Sequence, residues 1–240
     1  MERSFMSIRR FTWFSPLAGL LLMAGVSACT LATAGSDHAP LPDPAVDAAP
    51  AQGDQVAVLA GGCFWGLQSV FEHVKGVKKV SAGYSGGAAN TAEYDRVSDG
   101  DTGHAESVKI VYDPSKVSYG QLLKVYFSVA TDPTQLNRQG PDVGTQYRSV
   151  IFYGNDDQKR VATAYIAQLG AAHAFAAPIV TQVVPLKGFY VAESYHQDYA
   201  RRHPDEPYIV FNDAPKVAHL KQQFPALYQP DRDVVSVMLH

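Results

Sequence analysis

The stretch Val56-Ala57-Val58-Leu59-Ala60-Gly61-Gly62-Cys63-Phe64-Trp65-Gly66-Leu67-Gln68-Ser69-Val70-Phe71 changes its period halfway along. Residues 56–60 form a short, continuous apolar run, consistent with a buried strand. Beyond the glycine pair, Phe64, Leu67, Val70, Phe71 and then Val74 recur at helical spacing, until Gly76 ends the pattern. A strand passing through Gly-Gly-Cys into a helix places a thiol at the helix N-terminal end. Unpaired N–H groups and the positive end of the dipole favour the thiolate there. A thiol of pKa about 8.5 is only slightly ionised at neutral pH, whereas one near 7 is about half ionised. The flanking glycines would let a substrate approach the backbone closely. On position alone, Cys63 is equally readable as a buried, inert cysteine packed like a small hydrophobe.

Working outward, residues 77–84 read as a strand. A polar, glycine-bearing stretch follows over 85–104. Residues 105–112 alternate, with Glu106, Val108, Ile110 and Tyr112 on one face. Ser118-Tyr119-Gly120-Gln121 has the form of a capping box, with Leu122, Leu123, Tyr126 and Phe127 as the helix stripe behind it. A second long polar stretch runs over 131–146, then a strand over 147–153. Asn155 is placed to cap a helix bearing Val161, Tyr165 and Leu169 and closed by Gly170. A strand is expected over 178–184, a short helix over 194–202, and a last helix capped by Asp213 with Val217, Leu220 and Phe224 on one side. Few strands alternate with helices, which predicts an α/β (α+β) chain: a single two-layer domain with helices packed on a mixed sheet. Loops of this length inside a compact domain tend to be functional.

The chain has 240 residues, 46% hydrophobic and 18% charged, with a formal net charge of -3. This is too apolar for disorder and too weakly basic for phosphate contacts, so nucleic acid is excluded as a partner. Two cysteines, Cys29 and Cys63, rule out a disulfide scaffold and a four-cysteine zinc site. Residues 1–28 carry Arg3, Arg9 and Arg10 followed by an apolar run too short to span a bilayer comfortably, the layout of a signal peptide. Its end, Val26-Ser27-Ala28-Cys29, resembles a bacterial lipobox, which implies cleavage before Cys29 and lipidation of its sulfur. Cleavage after Ala32-Thr33-Ala34 is the alternative. Either reading makes the protein exported, periplasmic or a membrane-anchored lipoprotein in a bacterium, with lipid as its sole hold on the membrane. Residues 29–54 are rich in Ala and Pro and read as a tether. That leaves 55–229 as the catalytic domain and 230–240 as a tail.

Gly62-Cys63-Phe64-Trp65-Gly66 resembles the signature of the A-type peptide methionine sulfoxide reductases. Four further groups of segments follow in family order: Gly83-Tyr84-Ser85-Gly86-Gly87 with Tyr94, Gly100-Asp101-Thr102-Gly103-His104-Ala105-Glu106, Gly144-Thr145-Gln146-Tyr147-Arg148-Ser149, and Ala192-Glu193-Ser194-Tyr195-His196-Gln197. The likeness covers roughly residues 56–228. It implies that Cys63 attacks the sulfur of methionine S-sulfoxide and becomes a sulfenic acid. It further implies Glu106 as proton donor, Tyr94 and Tyr147 as hydrogen-bond donors to the sulfoxide oxygen, and Phe64 and Trp65 as the seat of the methyl group. Asp142, His196 and Tyr199 map to positions lining the site. The residues support Glu106 independently, because it shares a strand face with Val108 and Ile110, and burial raises a carboxyl pKa. No bound cofactor is implied, and no metal, since His104 and His196 lack further ligands at metal-site spacing.

Many relatives carry resolving cysteines near the C-terminus, whereas this chain has none after Cys63. The expected cycle therefore needs an external thiol reductant, a thioredoxin-like protein or a small thiol, acting on a monomer. Two competing readings remain open from sequence. One is a cysteine hydrolase pairing Cys63 with His196 and Asp142; the other is a non-catalytic lipoprotein that binds peptides.

Overall fold

The computed structural model describes residues 40–230. The signal-like segment, Cys29 and residues 231–240 lie outside the described residues. The opening strand and helix form as their period dictates: β1 is Gln55–Ala60 and α1 is Phe64–Glu72. Next come β2 (Val77–Ser85), the short α2 (Tyr94–Ser98) and β3 (Ala105–Tyr112). The helix α3 (Tyr119–Val125) continues into a π-helical turn, Tyr126–Ala130. A small hairpin, β4 (Arg138–Gln139) with β5 (Asp142–Val143), precedes a 3-10 turn at Thr145–Tyr147. Then follow β6 (Val150–Tyr153), α4 (Asp156–Ala171), β7 (Gln182–Pro185) and β8 (Tyr190–Val191). The chain closes with a 3-10 turn at Ser194–His196, α5 (Tyr199–Arg202), a π-helical turn at Ile209–Asp213, and α6 (Ala214–Gln223).

The main sheet is mixed, in the order β7-β6-β1-β3-β2-β8. β1 lies antiparallel to both β3 and β6, β2 antiparallel to β3 and β8, and β7 parallel to β6. The alternation along β3 sorts its residues as expected. Val108, Ile110 and Tyr112 join the helix-side core with Leu67, Val70 and Phe71 of α1, while Ala105 packs on the other face with Val58, Ala60 and Phe152. On that second face the chain around Phe189 runs close to the sheet. A Cβ at Gly83 would lie 2.3 Å from the Tyr190 carbonyl and 2.5 Å from the Phe189 ring.

Two helix starts bear out their local signals. Ser118 and Gln121 form a reciprocal capping box on α3, and Asn155 accepts from Gln158 N at 2.9 Å at the start of α4. The strand expected over 178–184 is shorter and later. The helix expected over 194–202 is broken, because Asp198 takes a left-handed conformation at φ 53° between the 3-10 turn and α5.

The Ala/Pro-rich stretch departs most from expectation. From residue 40 it is laid across α3 and α4 rather than standing free as a tether. The Tyr165 hydroxyl donates to the Pro42 carbonyl at 2.8 Å, Gln168 Nε2 to the Asp43 carbonyl at 2.8 Å, and Arg160 Nη2 to the Asp47 carbonyl at 2.9 Å. Leu41, Val46 and Ala48 pack on the core. The Asp47 carboxylate receives Gly120 N–H at 2.8 Å and the Ser118 hydroxyl at 2.5 Å. Composition hid this because prolines reduce the entropy lost on ordering and backbone carbonyls supply the hydrogen bonds, so few apolar side chains suffice. Among the described residues, no helix is long and apolar enough to cross a membrane.

Candidate active site

Cys63 is the N-cap residue of α1 and is buried, with 8% of its surface exposed. The glycines before it serve packing rather than substrate approach. A Cβ at Gly61 would sit 2.7 Å from Thr131 Oγ1, and one at Gly62, whose φ is +102°, 2.6 Å from the Gln139 side chain. The loop after the π-helical turn and the β4–β5 hairpin can therefore close directly on the strand–helix junction.

Glu106 enters from the start of β3. Its Oε2 accepts the Phe64 N–H at 2.9 Å, so the carboxyl takes the place of an N-terminal capping group for the helix that carries Cys63. Burial pushes the Glu106 carboxyl up to about 8; Asp142 and Asp213 add to the rise and the Phe64 N–H opposes it. The group is thus an acid at neutral pH, as its strand face suggested. The thiol departs from the helix-end expectation. Burial, followed by Glu106 and Asp213, holds Cys63 well above the ordinary thiol range. The Trp65 N–H, at the helix end, and Lys216 pull the other way and are outweighed.

Tyr94 and Tyr147 reach the same corner from two loops that are tied together. Glu193 accepts Tyr94 N–H at 2.9 Å and the Tyr84 hydroxyl at 2.8 Å, which fixes the start of α2. Gln146 Nε2 donates to the Ser98 carbonyl at 3.0 Å, joining the end of α2 to the turn that bears Tyr147. Arg148 then binds the carbonyls of Gly103, His104 and Thr145, which holds that turn to the start of β3. Burial raises both phenols, and Glu106 adds to the rise once it ionises, so they remain donors.

The aromatic wall is continuous. Phe64 is fully buried, with ring centroids 5.0 Å from His196 and 5.8 Å from Tyr84. Trp65 is half-buried, stacks on Tyr199 at 3.9 Å and 10°, and donates Nε1–H to His196 Nδ1 at 3.2 Å. His196 is therefore a neutral ring whose Nε2, buried and without a partner, carries the proton. Burial lowers its pKa, against the pull of Glu193. Because Trp65 occupies Nδ1, His196 is not set up as a base for Cys63, and the hydrolase reading loses its geometry. Tyr199 meets the site through its ring, since its hydroxyl is spent on Glu206 at 2.7 Å. His196 and Tyr199 do not share a helix, yet both close on Trp65.

Asp142 accepts the Tyr208 hydroxyl at 2.5 Å, and Tyr208 lies edge-on to Trp65 at 5.9 Å. Tyr208 was not singled out from sequence, nor were Asp213 and Lys216 as site residues. Asp213 carries the usual signal of a helix cap, and nothing local marks Tyr208 among 13 tyrosines. Among the described residues, no group of three or more His, Cys, Asp and Glu is placed to hold a metal ion.

The chemistry this corner can perform is thiol attack on an electrophilic centre whose oxygen is protonated by Glu106 and held by phenols. The comparisons agree with that geometry. A family model described as peptide methionine sulfoxide reductase matches residues 55–227. The chain is 62% identical over 183 residues to peptide methionine sulfoxide reductase MsrA 2 of Mesorhizobium japonicum, covering 76% of this chain and 94% of that one. It is 55% identical over 188 residues to the protein of the same name from Synechocystis, covering 77% and 88%. Among solved structures, methionine sulfoxide reductase A of Corynebacterium diphtheriae aligns with TM-score 0.56 at 35% identity, covering 64% of this chain and 77% of that chain. Mxr1 of Saccharomyces cerevisiae in reduced form aligns with TM-score 0.57 at 31% identity, covering 69% and 93%. The chain thus belongs to the peptide methionine sulfoxide reductase family, and its activity is the reduction of methionine sulfoxide to methionine.

Proposed function

We propose that the protein reduces methionine S-sulfoxide in oxidised exported proteins with Cys63 as its one working thiol. The Cys63 sulfur attacks the sulfoxide sulfur while Glu106 protonates the sulfoxide oxygen. Oxygen passes to Cys63, the thioether leaves as methionine, and the thiol proton restores Glu106, so that thiol plus sulfoxide becomes sulfenic acid plus thioether. Tyr94 and Tyr147 donate to the oxygen as it gains charge, a role worth about 3 kcal/mol for a well-placed donor. Phe64 and Trp65 seat the methyl group, with sulfur–aromatic contacts of about 0.3 to 1.5 kcal/mol each. Asp142, His196 and Tyr199 hold the walls of the site. The observation that carries this reading is Glu106: a buried acid bonded to the first N–H of the helix that bears the thiol.

Recycling follows from the cysteine count, since the chain has no cysteine after Cys63. An external thiol, from a thioredoxin-like protein or a small molecule, attacks the sulfenic sulfur and water leaves. A second thiol then resolves the mixed disulfide and returns Cys63. The arginine-bearing, apolar first 28 residues, followed by Cys29, support export as a lipoprotein, with cleavage after Ala34 as the other processing route. We infer that the working unit is a monomer.

The test is turnover of the separated S and R sulfoxides by wild type and Cys63→Ser. The S epimer should be consumed by the wild type alone. Full activity in Cys63→Ser would sink the mechanism. Thiol counting after one equivalent of substrate, without reductant, should show Cys63 oxidised and no intramolecular disulfide.

A further inference from the structure

Asp213 stands at the N-cap position of α6, yet its side chain makes no capping bond. Its carboxylate is turned inward instead. The residue is 1% exposed, its Oδ1 lies 3.3 Å from Lys216 Nζ, and its Oδ2 is buried without a partner. The carboxylate rests on the first turn of α1. A Cβ at Gly66 would lie 2.1 Å from Asp213 Oδ1 and 2.9 Å from Lys216 Nζ, so a glycine is needed for the pair to pack there. Gly66 is three residues after Cys63, about one helical turn. A buried carboxylate with one oxygen unmet is costly, and here its partner within its own helix is Lys216 rather than a capped N–H.

The charged and titratable groups around Cys63 come from several elements. Glu106 comes from β3, Tyr94 from α2, and Tyr147 from the 3-10 turn; Tyr208, bonded to Asp142, precedes the π-helical turn that ends in Asp213. Lys216 is the cation beside them, paired with Asp213 and packed against Gly66. We infer that Asp213 and Lys216 are positioning residues that act through Cys63: the buried pair, seated on Gly66 one turn into the helix that carries the thiol, sets the charge that the nucleophile meets from below. A protonated thiol is a poor nucleophile, so charge placed beside the resting cysteine governs its reactivity. The inference rests on Cys63 being the nucleophile of the proposed reaction.

The experiment is the pH profile of Cys63 alkylation by iodoacetamide in the purified full chain, for wild type, Asp213→Asn, Lys216→Met and Lys216→Arg. Asp213→Asn should move the profile to lower pH and Lys216→Met to higher pH, with Lys216→Arg restoring the wild-type profile. A displacement of about one pH unit corresponds to roughly tenfold in rate at a fixed pH below the midpoint. Displacement of both variants in one direction, or none in variants that keep the wild-type Tm, would overturn the inference. Should Asp213→Asn fail to fold, the lysine variants decide: Lys216→Met unmoved overturns it. Sulfoxide turnover on the same samples separates this outcome from that of the proposed reaction, because alkylation reads the thiol without substrate.

Discussion

The starts of α3 and α1 are built from similar parts and left in different states. At α3, Ser118 and Gln121 cap one another, and Asp47 adds a carboxylate that receives both Gly120 N–H and the Ser118 hydroxyl. Its polar groups are paired off and it carries no chemistry. At α1, the N-cap residue is Cys63, whose side chain makes no capping bond. One carboxyl, Glu106, accepts the Phe64 N–H but is buried enough to hold a proton, and a second, Asp213, presses on Gly66 with an oxygen unmet. A helix start that saturates its polar groups contributes stability. One that leaves a thiol, an acid and an orphaned oxygen gives up stability and keeps groups that can react, offset by the core beneath it.

Substitutions at the two starts should therefore separate into kinetic and thermodynamic effects. The largest effect is expected at α1: Glu106→Gln should lower kcat for the S sulfoxide by about 10²- to 10⁴-fold, as loss of a general acid does. In the wild type, kcat should fall as pH rises through about 8, where Glu106 gives up its proton. The stability sign follows from the same shift. Between its ordinary range near 4.5 and about 8, native Glu106 holds a proton that the unfolded chain has released. Wild-type stability should thus decline across that window, and Glu106→Gln should flatten the decline in urea midpoints. A wild-type midpoint that rises through the window would contradict the buried acid.

Next in size, Tyr147→Phe should reduce kcat by about 10²-fold, with KM less affected, if its hydroxyl meets the oxygen mainly in the transition state. An unchanged kcat would remove it from the site. At α3, Asp47→Ala should cost about 1 kcal/mol in denaturant unfolding and leave kcat intact. A kinetic defect there would mean that the two starts are coupled. The smallest effect is expected for Trp65→Phe, which keeps an aromatic wall but loses the Nε1–His196 bond. About 0.5 to 1.5 kcal/mol should appear in KM for a peptide sulfoxide. A loss confined to Tm would instead show that the bond is structural.

Where the physics is local, the chain was readable. The period change at Gly61-Gly62-Cys63, the alternation along β3, the capping box at Ser118 and the Asn155 cap each depend on residues a few positions apart, and each formed as expected. Glu106 was also legible, because a carboxyl on an apolar strand face must be buried. Two expectations failed for one reason. Asp213 looked like a cap and residues 40–54 looked like a tether, because their partners, Gly66 and the α3–α4 surface, lie far away in the chain. The same holds for the ionisation of Cys63. A helix end predicts a readier thiolate, but burial and two carboxyls brought from β3 and from the start of α6 reverse it. Local spacing thus settled the opening strand and helix, the faces of β3 and the starts of α3 and α4. The charge surrounding that thiol was settled by packing, because electrostatic interactions act through space and count neighbours that sequence separation conceals.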